Sequence, residues 1–176
     1  MCDFDCVGTV GFFRERHRIE SATTRKVLHA MTPEMLEYRA HPASSTVGVI
    51  AWTIVRCLRI CNQLTGHPLA EVPRDPHPAY AELLTAFDRA TQELTVALLV
   101  MAQKEWETDR VVMAGPRVLL DQPLGQIFWL FHADAIHHRG QISVFLRPFG
   151  IKVPSIYGPS GDCQPQVSIN REGAQL

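Results

Sequence analysis

The sequence has almost no excess charge of either sign: 17 Lys and Arg stand against 18 Asp and Glu, for a net charge of −1. A chain this balanced has no bulk attraction for a polyanion, which argues against nucleic-acid partners bound by counterion release. Long apolar runs are scarce too. The stretch from Val47 to Trp52 is interrupted at Thr53, far short of the roughly 18 to 20 residues of a membrane span. The opening residues, Met1-Cys2-Asp3-Phe4-Asp5-Cys6, are acidic and lack the basic start of an export signal. Five cysteines, an odd number with no such signal, point to reduced thiols rather than a disulfide framework. The expectation is a cytoplasmic protein with no membrane partner. Several motifs are missing as well: a Gly-rich phosphate loop, a Gly-x-Ser-x-Gly elbow, a His-Glu-x-x-His helix, an internal repeat and any low-complexity segment.

What remains is 46% hydrophobic and 20% charged over 176 residues, the composition of one globular domain. Its apolar periodicity is helical. A first helix is expected from about Val10 to Met31, with Phe13, Ile19 or Ala22, Val27, Leu28 and Met31 on its inner face. Thr32-Pro33-Glu34 starts a short helical turn. Ser44 or Ser45 caps a second helix that ends near Leu64, before Gly66 and Pro68. The proline-rich segment from His67 to Pro78 reads as an irregular loop. A third helix runs from about Pro78 to Lys104. Two extended stretches flanking Ala114-Gly115-Pro116 read as a small hairpin. The fourth helix opens with Asp121 as cap and Pro123 in its first turn, and stops near Leu146 before Pro148 and Gly150. Four helices with one long connection between the second and third predict an all-α, antiparallel four-helix bundle. The bundle is assigned to residues 1–160, and 161–176 to an irregular tail. Trp52, Trp106 and Trp129 are read as core or interface anchors, and Arg56 and Arg59 as solvated or paired.

The fourth helix carries the polar residues of interest. Steps of three and four place Leu124, Ile127, Phe131, Asp134, His138, Gln141 and Phe145 on one seam. Asp134 and His138 are spaced i, i+4, so their side chains stand one above the other, as two ligands of one ion must. A carboxylate on a core seam needs a partner or a metal, and a simple Asp–His hydrogen bond satisfies the same requirement. His137 and His132 flank the seam on either side. On the second helix Thr53 and Cys57 are the polar seam members, again i, i+4. Thr is a poor metal ligand. Cys57 is either a ligand as thiolate or a small buried hydrophobe.

The run His137-His138-Arg139-Gly140-Gln141, followed by Val153-Pro154-Ser155-Ile156-Tyr157-Gly158-Pro159, resembles the DinB family of bacterial four-helix bundles, and the likeness extends over roughly residues 10–160. The resemblance implies a divalent metal, zinc or nickel, held by a His of the second helix and two residues of the fourth at i and i+4. His138 matches the later of these, immediately before Arg-Gly-Gln. Asp134 stands where many members have His and a subgroup has Asp. Thr53, after Trp52, occupies the position of the second-helix His. Either Cys57, His137 or His132 compensates for it, or the site is weak or lost. Gln141 is read as a hydrogen-bond partner of a ligand and Arg139 as an ion-pair former at a helix crossing, with Gly140 permitting close helix approach. The resemblance further implies a homodimer and a small-molecule substrate such as a low-molecular-weight thiol. The corresponding activity is a metal-dependent thiol S-transferase or hydrolase-like reaction. A non-catalytic, stress-related binding protein that has lost the metal is the alternative.

Overall fold

The computed structural model describes residues 8–162. Its framework is four long helices, α1 (Val10–Ala30), α2 (Val47–Leu64), α3 (Tyr80–Val100) and α5 (Leu124–Phe145), with the single-turn α4 (Gln103–Trp106) between the last two. Three strands, β1 (Leu69–Glu71), β2 (Asp109–Ala114) and β3 (Arg117–Pro123), form a small sheet in that order. The protein is therefore mostly helical with an added sheet, not the purely helical bundle expected.

Each departure has a local cause. The 67–78 segment was expected to be irregular, but Leu69-Ala70-Glu71 lies between Pro68 and Pro73 with every N–H available. It pairs in parallel with β2, Leu69 opposite Val111. The hairpin is present, with a bulge where Met113 pairs Val118 and leaves Leu119 unopposed. Strand β3 runs on through Asp121, so that residue does not cap α5, and Pro123 takes the N-cap place. Thr46, not Ser44 or Ser45, caps α2: its hydroxyl accepts from the Val49 N–H at 3.3 Å. The third helix breaks at Met101, and α4 turns Trp106 into the core.

The ring of helix contacts runs α1–α3–α2–α5 and back to α1. Helix α2 is long and apolar enough to cross a membrane by length and mean hydropathy, and 67% of it is buried in this fold. The proline-rich segment is strapped to α2 through Asp75, whose carboxylate accepts from Arg59 (2.7 Å) and whose carbonyl accepts from Arg56. At one end of the bundle Trp106 stacks near Phe13 (5.0 Å) and Phe128 (5.6 Å) and donates its indole N–H to the Gly8 carbonyl (2.8 Å). Gly125 makes this possible, because a Cβ there would lie 2.3 Å from the indole ring.

The two long seams that meet at the centre are not all apolar. On α1 the buried residues Phe13, His17, Glu20, Thr24 and Val27 follow steps of four and three, whereas Ile19 is half-buried and Ala22 exposed. On α5 the expected seam holds at Leu124 and Ile127, but beyond them the inward residues are Phe128, His132, Ala135, Arg139 and Ile142, continued by Leu146 at the C-cap. These lie one residue, and so about 100°, round from the expected Phe131, Asp134, His138, Gln141 and Phe145. Glu20 and Arg139 thereby face each other, 2% and 1% exposed, with Glu20 Oε2 accepting from Arg139 Nη1 at 2.7 Å. Tyr157 donates to the same carboxylate oxygen (2.8 Å), Arg16 reaches the other at 2.5 Å, and Arg139 also donates to the Thr24 hydroxyl. Burial pushes the Glu20 carboxyl up. The hydrogen bonds from Arg139 and Tyr157 and the charge of Arg139 outweigh it and hold the carboxyl below its ordinary range.

Two predictions follow from these seams. Removing one partner of a buried ion pair leaves the other uncompensated, at a cost of roughly 3–5 kcal/mol. Glu20→Gln should therefore lower the urea midpoint sharply, and Glu20→Leu combined with Arg139→Met should restore most of it. Burial also lowers the His17 pKa. The folded state then binds fewer protons there than the unfolded chain, so stability should fall as pH drops below the unfolded value of about 6.5. Glu20 adds a further loss as pH falls through the carboxylate range. Urea titrations from pH 7.5 to 5 should show this decline, and His17→Phe should reduce it, the remainder coming from His132, whose pKa burial pushes down to about 4. Separately, Gly125→Ala should cost on the order of 1–3 kcal/mol in thermal or urea denaturation, because Trp106 must move.

Candidate functional site

The polar residues singled out from the sequence divide between two faces of α5. Asp134, His138 and Gln141 lie along the groove facing α2, and Arg139 and His132 face α1. The first group sits at the rim of the core rather than in it: the Asp134 side chain is 44% exposed and that of His138 20%. The one-residue rotation of the seam is the reason. Arg139 holds the central place and is neutralised there by Glu20, so the carboxylate of Asp134 stays in contact with water and needs no metal for its solvation.

The rim is nevertheless organised. Asp134 Oδ1 lies 3.5 Å from His138 Nε2, across one helical turn. His138 Nδ1 lies 2.9 Å from Gln141 Oε1. Gln141 thereby fixes the ring's orientation, with Nε2 turned toward Asp134. The other Asp134 oxygen accepts from the Cys57 thiol across the α2–α5 interface, with Sγ to Oδ2 at 3.5 Å. Cys57 is buried, and burial together with the Asp134 charge raises its pKa, so it is a thiol and not a thiolate. Thr53 lies one turn earlier on α2, half-buried, with its hydroxyl donating to the Val49 carbonyl of its own helix at 2.9 Å. His137 is exposed, its ring 5.3 Å from that of His138.

Two donors bound at about 2.0–2.1 Å to a tetrahedral ion lie roughly 3.3–3.5 Å apart. The Asp134–His138 spacing of 3.5 Å fits such a pair. The Gln141 contact fixes the orientation of the imidazole. Among the described residues, however, no three His, Cys, Asp or Glu side chains form a group able to hold an ion. The donor set fits a divalent ion as two protein ligands, with Cys57 adjacent but protonated.

Arg139 forms the expected ion pair at a helix crossing, with Glu20 of α1, and its other contacts are Thr24 and Tyr157 rather than the residues around His138. Gly140 does not occupy the place expected of it. Gly140 is exposed, and a Cβ there would meet nothing within 4 Å, so no helix approaches it. His132 packs against Phe13 (5.2 Å) and faces His17 (6.5 Å), on the opposite side of α5 from Asp134. Burial and its neighbour His17 push the His132 pKa down to about 4, so the ring is neutral. Glu20, His17 and Tyr157 were missed by the sequence reading. The signal was available in α1, where Phe13, His17, Glu20, Thr24 and Val27 keep strict bundle spacing if polar residues are admitted to the seam.

The DinB family model matches residues 12–166. The uncharacterized protein YrdA of Bacillus subtilis (strain 168) is 27% identical over 154 residues, covering 86% of this chain and 90% of YrdA. A crystal structure of a DinB-like protein from Bacillus cereus ATCC 10987 superposes with a TM-score of 0.70 at 25% identity, over 85% of this chain and 98% of that one. The DinB-like protein YjoA of Bacillus subtilis shares the fold, with a TM-score of 0.63 at 12% identity over 86% and 98% of the two chains. The chain belongs to the DinB family.

Proposed function

We propose that this DinB-family protein binds a divalent ion, zinc or nickel, weakly at the α2–α5 rim and acts there on a small molecule such as a low-molecular-weight thiol. The observation that carries the reading is the facing pair at the rim. A carboxylate oxygen and an imidazole nitrogen stand 3.5 Å apart, with Gln141 fixing the ring from behind. Two electron-pair donors in this relation attract a cation. Asp134 and His138 are the residues that would hold it. An ion in that place supplies Lewis acidity, which lowers the pKa of a thiol or a water molecule.

The chain's own residues define the rest. The Asp134 side chain is 44% exposed, so a molecule in solution reaches it. Cys57 keeps the second carboxylate oxygen occupied through its thiol proton, which limits how far Asp134 can turn. Thr53 stands where a third imidazole would complete the set. A hydroxyl that donates to its own helix adds little to affinity. A second reading, a bundle that kept the fold without the metal, is favoured by this threonine and by the absence of a ready three-donor group among the described residues.

Equilibrium dialysis of the purified protein against zinc and nickel distinguishes the two. The metal reading predicts a dissociation constant in the micromolar range or weaker, on the order of −8 kcal/mol. Thr53→His should tighten it at least tenfold, about 1.4 kcal/mol. His138→Ala should abolish binding, and Gln141→Leu should weaken it by roughly 10-fold or more. Binding that is insensitive to both Thr53→His and His138→Ala, or no binding by the parent and the histidine variant alike, leaves the second reading standing.

A further inference from the structure

The four long helices meet around a small cavity of about 20 Å³, and all four contribute to its wall. Ile54 of α2 and Phe87 of α3 are apolar, but α1 presents His17, Glu20 and Ser21 and α5 presents His132. Room for one water molecule begins at roughly 10–15 Å³, so the cavity takes one. It is far smaller than the roughly 300 Å³ at which sites for organic ligands begin.

The polar wall contains an atom in need of a partner. Nε2 of His132 is shut off from solvent and makes no hydrogen bond among the described residues. The rings nearest it are Phe13 at 5.2 Å and Trp129 at 5.7 Å, both edge-on. His17 is 6.5 Å away between ring centres and is engaged elsewhere, with Nδ1 3.3 Å from Ser21 Oγ and a hydrogen bond to the Thr91 backbone. A buried polar atom without a partner is costly and calls for an explanation. Across the cavity, Glu20 Oε1 accepts from Arg16 alone among the described residues, and a carboxylate oxygen can take a second donor. A water molecule both donates and accepts. It therefore satisfies an imidazole nitrogen in either tautomer and a carboxylate or hydroxyl oxygen at the same time.

We propose that this cavity is an internal binding site for one ordered water molecule, which bridges His132 Nε2 on α5 to the Glu20 and Ser21 oxygens on α1. The water joins His132 to the Glu20–Arg139 pair, so the polar residues of the α1–α5 seam act as one hydrogen-bonded unit. The site lies on the opposite side of α5 from Asp134 and does not depend on an ion there.

The test is a crystal structure of the full chain at a resolution that orders internal water, paired with oxygen-17 relaxation dispersion of the same protein in solution. The map should show one water within about 3.2 Å of His132 Nε2 and of an oxygen of Glu20 or Ser21. His132→Phe keeps a ring in place and removes the nitrogen, and its crystals should lack that water. The dispersion amplitude should fall by one long-lived water in the same variant. Ala135→Val leaves every polar partner and adds methyl groups to the cavity wall, so it should expel the water too. A map of the parent protein with no density in the cavity overturns the proposal. So does a water there that makes no contact with Nε2, a water retained in either variant, or a dispersion amplitude that His132→Phe leaves unchanged.

Discussion

The buried Glu20–Arg139 ion pair decides how the helices are rotated. An arginine at 1% exposure is tolerable only where a carboxylate meets it in the low-dielectric core, and here Glu20 does, with the Thr24 and Tyr157 hydroxyls accepting beside it. That demand sets which face of α5 turns inward, and with it where Asp134 and His138 go. Once Arg139 points to α1, the residue before it lies about 100° away, in the groove toward α2. Tyr157 binds both members of the pair, so the segment after α5 is drawn over the end of the same network.

The rim site follows from that rotation. Its two ligand candidates are neighbours on one helix, its imidazole is oriented by Gln141, and its carboxylate is shared with a thiol from α2. Family membership rests on the match over residues 12–166 and leaves the reaction open. Thr53 is the point where this chain's chemistry parts from a three-imidazole site, since its hydroxyl is spent on Val49.

Much of the fold was legible from periodicity. The four long helices fall where their apolar spacing places them, and the hairpin flanks Gly115, whose φ of 61° suits a turn that L side chains avoid. Strand β1 was not legible, because it is three residues long between prolines and exists only by pairing with β2. The spacing of Asp134 and His138 was legible, and so was the Gln141 contact. Their depth was not, since a seam chosen by apolar residues alone puts a carboxylate inside and an arginine outside. The true seam needs a long-range fact, that Glu20 lies opposite Arg139, which no local pattern on α5 contains.

The central claim is that Asp134 and His138 form one cation site on the α2–α5 rim. Its most direct test is an anomalous difference map from crystals of the protein soaked in nickel, recorded on both sides of the nickel edge. The account predicts a peak within bonding distance of both His138 Nε2 and Asp134 Oδ1, absent in crystals of His138→Ala. A soaked crystal with no peak between those two atoms, or with its strongest ordered peak on other side chains, would contradict it.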